Sequence, residues 1–315
     1  AKTTASQIIP QHELETKLTA AKEQLAAMNK FESITRNNAA VSWSVLPGKD
    51  NTPKLKLQMD KFKIYIDPVK GADITGWKNT DNAAKDYLFH QSRGMLGQLS
   101  FYDPKQRSSP FPFELKNIGI SEGGNPFAQF NYAVPGYEGA NSETNPLEGL
   151  EIGKAVILCD GGRTIKTTLK FTNRSPRRTT MQFGFKIKNY PRLGGTLAGL
   201  KTLSNIATIK YGSPSGKKNV MPGYMGSILL LSEKNSDLSF LKGVVKPEPW
   251  SQGPVIAEAA ADSLKETLVF DAATEFTAGY LIWKSVNAYT VEMLSSEFIL
   301  PFGKNVEYTY TISLK

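Results

Sequence analysis

The chain has 315 residues, of which 40% are hydrophobic and 21% are charged, and this composition excludes an intrinsically disordered protein because it supplies ample material for a core. Lysine and arginine outnumber aspartate and glutamate by 38 to 29, a net charge of +9, which favours an anionic partner, although the basic residues are scattered as on the solvated face of a sheet. No zinc-finger spacing or RNA-binding motif accompanies this charge, so we expect no nucleic-acid partner.

Histidine and cysteine are scarce, with two histidines and one cysteine. An internal disulfide and a His/Cys metal cluster are therefore excluded, and the sequence predicts no cofactor and no metal site. No run of about 18 apolar residues indicates a membrane span. We expect a periplasmic or extracellular location, although the chain contains no signal peptide.

Residues 1–34 are predicted to contain one amphipathic helix, because apolar residues recur there at spacings of four and three. These positions are Leu14, Leu18, Ala21, Leu25 and Met28. The apolar stripe needs a partner, so we expect the helix to dock on the main domain or on a neighbouring domain. Residues 35–53, rich in Asn, Ser, Pro and Gly, are predicted to be a linker.

Residues 54–315 are predicted to form one β domain, since the apolar period changes to two. The apolar residues occupy odd-numbered positions up to Met59 and even-numbered positions from Phe62 onward. This change predicts a tight turn or bulge at Asp60 and Lys61. Two further strands, 165–171 and 181–187, flank a polar segment and are predicted to form a hairpin. Later predicted strands are Ser227–Leu231, Thr267–Phe270, Tyr280–Trp283, Tyr289–Leu294 and Val306–Leu314.

Many strands with one peripheral helix predict packed antiparallel sheets. Two stretches, 93–153 and 190–226, have weaker periodicity and contain Gly, Pro, Asn and aromatic residues. They are predicted to be long loops that carry the function.

Glu292 is the first candidate for chemistry, because it interrupts an apolar strand. Its carboxylate either faces solvent or projects into a site where burial alters its pKa. Glu275 and Glu297 are weaker candidates. His90, with Arg93 close by, lies beside a loop-rich region and has either a structural role or a role in the site.

Aromatic residues near Gly, Pro and Asn are a second set of candidates. Flat rings stack on the C–H patches of sugars, while polar side chains bind the hydroxyl groups. The predicted substrate-binding residues are Trp77, Trp250, Trp283, Tyr137 and Tyr224.

Three segments together resemble the galactose mutarotase-like β-supersandwich, the fold of aldose epimerases and of domains in polysaccharide-degrading enzymes. They are Phe62–Trp77, where an apolar strand reaches Pro, Gly and a second strand; Arg163–Asn173, which ends in Thr-Asn before Arg174 and Ser175; and Tyr289–Lys315, a terminal strand pair that includes Glu292. The resemblance implies a large antiparallel supersandwich and a function connected with sugars.

Mutarotases use two histidines and a glutamate, a division of acid, base and positioning roles that ring opening requires. In residues 54–315 only His90 can fill either histidine role. We therefore expect a carbohydrate-binding domain for an oligo- or polysaccharide, accessory to or part of a carbohydrate-processing protein, and the positive charge favours an anionic glycan. The alternatives are an enzyme acting on sugars (epimerase, lyase or glycoside hydrolase-like) that uses Glu292 with His90 or Arg93, and a structural or protein-binding sandwich.

Overall fold

The computed structural model describes residues 41–47, 53–81, 86–88, 95–102, 111–136, 145–192, 207–221, 224–235, 246–251, 253–259, 266–272, 275–285 and 288–315. The helix predicted within residues 1–34 and most of the predicted linker lie outside the described residues. So do three of the predicted site residues: His90, Arg93 and Tyr137.

The described residues form 21 β-strands. The first eleven are β1 (Val41–Pro47), β2 (Pro53–Met59), β3 (Phe62–Asp67), β4 (Asp73–Asn79), β5 (Leu96–Phe101), β6 (Glu114–Ile120), β7 (Pro126–Ala133), β8 (Leu150–Cys159), β9 (Thr164–Asn173), β10 (Thr180–Phe183) and β11 (Phe185–Asn189). The other ten are β12 (Ala207–Ser213), β13 (Gly216–Val220), β14 (Gly226–Leu231), β15 (Pro247–Pro249), β16 (Val255–Ala259), β17 (Thr267–Asp271), β18 (Thr277–Lys284), β19 (Tyr289–Ser295), β20 (Phe298–Pro301) and β21 (Asn305–Leu314).

Two large sheets form a sandwich, which confirms the predicted fold class. The ten-stranded sheet has the order β1-β2-β3-β4-β5-β11-β19-β18-β14-β15, and the nine-stranded sheet has the order β13-β12-β16-β17-β21-β9-β8-β7-β6. Among these neighbours only β14 and β15 are parallel. One buried core contains residues of both sheets, as expected when each sheet turns alternate side chains inward.

The predicted change of face after Met59 is confirmed as a two-residue hairpin turn. Met59 lies opposite Phe62, so Asp60 and Lys61 connect β2 and β3. Asp60 has a positive φ of 50°, a conformation that Asp tolerates better than most residues. The turn allows both strands to keep their apolar residues on the inner side.

One segment within the predicted linker forms a strand. Residues 41–47 pair antiparallel with β2 along their whole length, and Trp43 is buried. Val41, Trp43 and Val45 alternate with polar or smaller residues, which is the period-two pattern of a strand with one buried face. The ten-stranded sheet therefore begins before residue 54.

The predicted hairpin of residues 165–187 is wrong, although both strands exist. β9 pairs with β8 and β21 in the nine-stranded sheet, whereas β11 pairs with β5 and β19 in the ten-stranded sheet. The chain crosses between sheets after Asn173, whose side-chain NH2 donates to the Leu300 carbonyl and whose side-chain oxygen accepts from the Ser175 amide. Both strands form their ladders with other partners instead of with each other.

The two stretches predicted as long loops also contain strands. Residues 93–153 include β5, β6, β7 and the start of β8, and residues 190–226 include β12 and β13. Their periodicity is weak partly because register shifts interrupt it, as between Leu115 and Asn117 on β6. A bulge moves the following side chains to the other face and hides the alternation.

A buried ion pair connects the two sheets. The ammonium of Lys154, on β8, lies 2.9 Å from the Asp73 carboxylate and donates to the carbonyls of Gly71 and Gly97, also at 2.9 Å. The side chains of Lys154 and Asp73 are each 1% exposed. Burial raises the pKa of Asp73 to about 6 although Lys154 opposes the shift, so desolvation outweighs the attraction of the pair.

The described residues include no helix that is long and apolar enough to span a lipid bilayer.

Candidate functional site

The candidate site lies on the outer face of the ten-stranded sheet, the side turned away from the nine-stranded sheet. On its central strands Leu99, Ile187, Val291 and Ile282 are buried in the core. Side chains alternate along a strand. The residues that precede and follow each of these four along its own strand therefore point to the outer face. The pairing of the strands then decides which of them lie side by side.

One row crosses five strands of this face, with each residue directly opposite the next. This central row consists of Gln98 on β5, Lys188 on β11, Glu292 on β19, Leu281 on β18 and Leu229 on β14. Directly opposite residues have Cβ atoms about 4.5 to 5.5 Å apart. Glu292 therefore occupies the middle of the outer face, with a lysine on one side and a leucine on the other.

Glu292 also forms an ion pair with the next lysine along β11. Its carboxylate oxygen Oε2 lies 2.6 Å from the ammonium nitrogen of Lys186, and the two side chains are 13% and 24% exposed. A carboxylate accepts hydrogen bonds and an ammonium donates them. An acceptor and a donor group thus lie side by side on the outer face.

Trp283 provides an exposed aromatic ring beside this pair. It is 45% exposed and lies directly opposite Thr290 on β19, two residues from Glu292. Residues related in this way are diagonal neighbours on one face, about 7 to 8 Å apart. The structure therefore brings together two of the predicted site residues, Trp283 and Glu292.

The end of the central row that lies on β18 and β14 is apolar. Leu229, Leu231, Ala278 and Leu294 form a small buried cluster that is separate from the main core, with Leu281 packed against it. The outer face is therefore divided into an apolar part, a central carboxylate with lysines, and an exposed indole.

Tyr224 is exposed but lies on the other side of the sheet. A Cβ atom at Gly226 would lie 2.9 Å from the Tyr224 hydroxyl, and Gly226 is opposite Lys284, a buried residue next to Trp283 in the strand. Because neighbouring residues of a strand point to opposite faces, Tyr224 and Trp283 are on different faces. The structure does not unite these two aromatic residues in one site.

Trp77 and Trp250 belong to the core. The Trp77 indole N–H donates to the Gly162 carbonyl at 3.2 Å and its ring packs 5.4 Å from that of Tyr87. The Trp250 ring lies edge-on to Tyr280 at 5.2 Å. Both tryptophans are buried, so neither offers a ring face for stacking on a ligand. Of the predicted aromatic residues that the structure describes, Trp283 alone has an exposed ring beside Glu292.

The two weaker carboxylate candidates lie outside the central row. Glu275 is exposed in the turn before β18. Glu297 is exposed between β19 and β20, where it accepts a hydrogen bond from the side chain of Gln182.

Three polar residues of the site were missed from the sequence: Lys186 and Lys188 on the strand next to Glu292, and Gln98 one strand further on. The alternation of Lys186 and Lys188 with apolar Phe185 and Ile187 indicates a solvent-facing set, which is a usable signal. It does not reveal that β11 lies beside β19, because that pairing joins segments about one hundred residues apart.

The chain is similar to solved structures, while its sequence matches no protein-family model and no curated protein. A galactose mutarotase-like protein from Clostridium acetobutylicum is 10% identical, with a TM-score of 0.55 over 88% of this chain and 99% of that one. A galactose mutarotase related enzyme from Lactobacillus acidophilus is 11% identical, with a TM-score of 0.51 over 83% and 97%. The protein has the galactose mutarotase-like fold.

The galactose mutarotase-like fold also accounts for part of a longer chain. A TPR-domain containing protein from Parabacteroides distasonis matches 84% of this chain with 47% of its own length, at 9% identity and a TM-score of 0.51. Structural similarity at such low sequence identity establishes the fold alone. The activity of the chain therefore depends on its own residues.

Proposed function

We propose that the outer face of the ten-stranded sheet binds a saccharide at Glu292 and Trp283. The observation that carries the proposal is the diagonal placement of the exposed Trp283 ring beside the Glu292–Lys186 pair. An indole face stacks on the C–H patches of a sugar ring. The carboxylate accepts hydrogen bonds from hydroxyl groups while Lys186 and Lys188 donate to ring and hydroxyl oxygens.

The fold and the charge support this proposal. Structures with the same fold include galactose mutarotase-like proteins, so a sugar ligand is consistent with the architecture. The net charge of +9 favours a glycan that contains acidic groups. The occurrence of the fold within a longer chain agrees with a role as one part of a larger protein.

The test is direct measurement of binding to a panel of neutral and acidic oligosaccharides by isothermal titration calorimetry. Trp283→Ala is expected to weaken binding about tenfold, the value of one aromatic contact. Glu292→Gln is expected to weaken it at least as much, because a charged hydrogen-bond acceptor is lost. Phe302→Ala and Glu307→Gln are matched controls, since Phe302 is exposed and Glu307 pairs with Lys170 on the nine-stranded sheet.

The proposal fails if the unaltered protein binds no member of the panel, or if Trp283→Ala and Glu292→Gln bind as well as the two controls. A loss in the controls equal to that in the site variants would also reject it, because the effect would then be general to the surface.

A catalytic function at the same residues is favoured by one further observation. The 2.6 Å separation of Glu292 and Lys186 places a carboxylate and an ammonium within reach of proton transfer to one substrate. An enzyme acting on sugars would use Glu292 as the base. Anomer exchange of reducing sugars, followed by optical rotation, tests this function: turnover that survives Glu292→Gln rejects the base.

A further inference from the structure

A second feature of the outer face lies on β2, β3 and β4. We define the Tyr65 surface as Lys56, Lys63, Tyr65, Gly76 and Lys78. Lys56 and Gly76 lie directly opposite Tyr65 on its two neighbouring strands, and Lys63 lies directly opposite Lys78. The inward residues of β3, Ile64 and Ile66, are fully buried, so the alternating residues point outward with the lysines.

Tyr65 is positioned by the absence of a side chain at Gly76. A Cβ atom at residue 76 would lie 2.9 Å from Cδ2 of the Tyr65 ring, closer than a carbon atom tolerates. The ring therefore lies over the backbone of β4, an arrangement in which an aromatic residue covers a glycine on the neighbouring strand. The ammonium of Lys78 is 5.9 Å from the centroid of this ring, within the range of a cation–π contact.

The charges of this surface are not balanced. Lys78 lies 3.7 Å from Asp86, but neither Lys56 nor Lys63 has a carboxylate partner among the residues described here. Like charges directly opposite one another across two strands are destabilising, as in the pair of Lys63 and Lys78. An anion bound between these lysines would remove that repulsion.

The Tyr65 surface belongs to the same sheet as the Glu292 site. β4 pairs with β5 at Ile74 and Leu96, β5 pairs with β11, and β11 with β19. Neighbouring strands are about 4.8 Å apart, so the four steps from β3 to β19 span about 19 Å. One monosaccharide is too short to contact both places, whereas an extended polysaccharide reaches both.

We propose that the Tyr65 surface is a second subsite, which binds the carboxylate or sulfate groups of an acidic polysaccharide. Lys56 and Lys63 pair with the anionic groups and Tyr65 contacts the adjoining sugar ring. That the anion belongs to a polysaccharide rests on the function proposed above for Glu292 and Trp283. The excess of positive charge and the ring held over Gly76 stand independently of it.

The experiment compares polygalacturonate with its fully methyl-esterified form, which has the same sugars without the charges. Heparin provides the sulfate arm, and single-stranded DNA and vesicles of anionic phospholipid provide non-saccharide polyanions. The site variant is Lys56→Gln with Lys63→Gln. The control variant is Lys166→Gln with Lys217→Gln, which removes two exposed lysines of the nine-stranded sheet. Its net charge is the same as that of the site variant.

The site variant is expected to bind polygalacturonate or heparin about tenfold more weakly and with a shallower dependence on salt, because fewer counterions are released. Its affinity for the methyl-esterified polymer should not change, and the control variant should behave like the unaltered protein. Tyr65→Ala is expected to lower affinity for the acidic polymers, while Tyr65→Phe retains it.

Three results overturn the inference. Equal loss in the site and control variants shows a general charge effect. Unchanged binding of acidic polymers by the site variant, with loss in Trp283→Ala, removes the second subsite and leaves the proposed function intact. Tighter binding of DNA or vesicles than of acidic polysaccharides, lost in the site variant, assigns the surface to another polyanion. If no saccharide of either kind binds, the proposed function itself fails.

Discussion

The interior of the sandwich and the outer face of the ten-stranded sheet each contain a lysine–carboxylate pair and a tryptophan, but the two regions use them differently. In the interior, Lys154 already has three acceptors at 2.9 Å and no capacity for a ligand. On the outer face, Lys186 and Glu292 remain 24% and 13% exposed. The comparison teaches that residue type alone does not define a site. A side chain can bind a ligand only if it is exposed and still has hydrogen-bonding groups without a protein partner.

The largest difference in stability is expected between substitutions of the two tryptophans. Trp77→Ala should lower the free energy of unfolding by about 4 to 5 kcal/mol, because it leaves a cavity and an unpaired Gly162 carbonyl. Trp283→Ala, on the outer face, should change it by less than about 0.5 kcal/mol. Urea unfolding followed by circular dichroism measures both values. Losses of similar size would contradict the distinction between the two regions.

Substitutions of the two lysines should differ almost as much in their effect on the free energy of unfolding. Lys154→Met is expected to cost about 3 to 4 kcal/mol, since it leaves the Asp73 carboxyl and two carbonyls buried without their donor. Lys186→Met should cost less than about 1 kcal/mol. The double variant Lys154→Met with Asp73→Leu should regain part of the loss. A double variant no more stable than Lys154→Met would argue against an uncompensated carboxyl group as the cause.

The raised pKa of Asp73 should appear as a dependence of stability on pH. Its pKa is about 6 in the folded protein and 3.8 in the unfolded chain, so the folded state binds more protons between these values. The stability from this group is complete below about pH 4 and is lost as pH rises through about 6, by at most about 3 kcal/mol. The unfolding free energy of the unaltered protein minus that of Asp73→Asn should therefore fall from pH 4.5 to 7.5. A difference that stays constant or rises would exclude the shift.

A small effect on stability is also expected at Glu292. Glu292→Gln should change the free energy of unfolding by less than about 1 kcal/mol, because its partner Lys186 retains contact with water. The same variant is expected to lose saccharide binding. Thermal unfolding and calorimetric titration of one preparation separate the two effects. A large loss of stability would give Glu292 a structural role like that of Asp73.

Strand positions were predictable from the sequence where apolar residues alternate without interruption, because alternation is a local property. The turn at Asp60 and the strands that carry Tyr289–Leu294 and Val306–Leu314 follow directly from it. Sheet partners were not predictable in the same way. Asn173 diverts the chain from β9 to a different sheet through a bond to Leu300, and nothing near Asn173 in the sequence encodes that contact.

The candidate site was predictable only in part. Glu292 and Trp283 were identified from their own strands, but their adjacency depends on the register between β18 and β19. Trp77 was misassigned because a register shift between Tyr65 and Ile66 places Trp77 opposite Ile64. One extra residue in β4 turns its indole inward with Ile74, although the two are three positions apart.

The position of β21 in the nine-stranded sheet has a consequence for biosynthesis. This strand lies between β9 and β17, and Thr309 contacts Thr168, 141 residues earlier. During translation β9 therefore has an open edge until residues 305–314 leave the ribosome. Pairings so distant along the chain make folding slow and leave nascent strands prone to aggregation. The nascent chain should depend on chaperones that shield this edge.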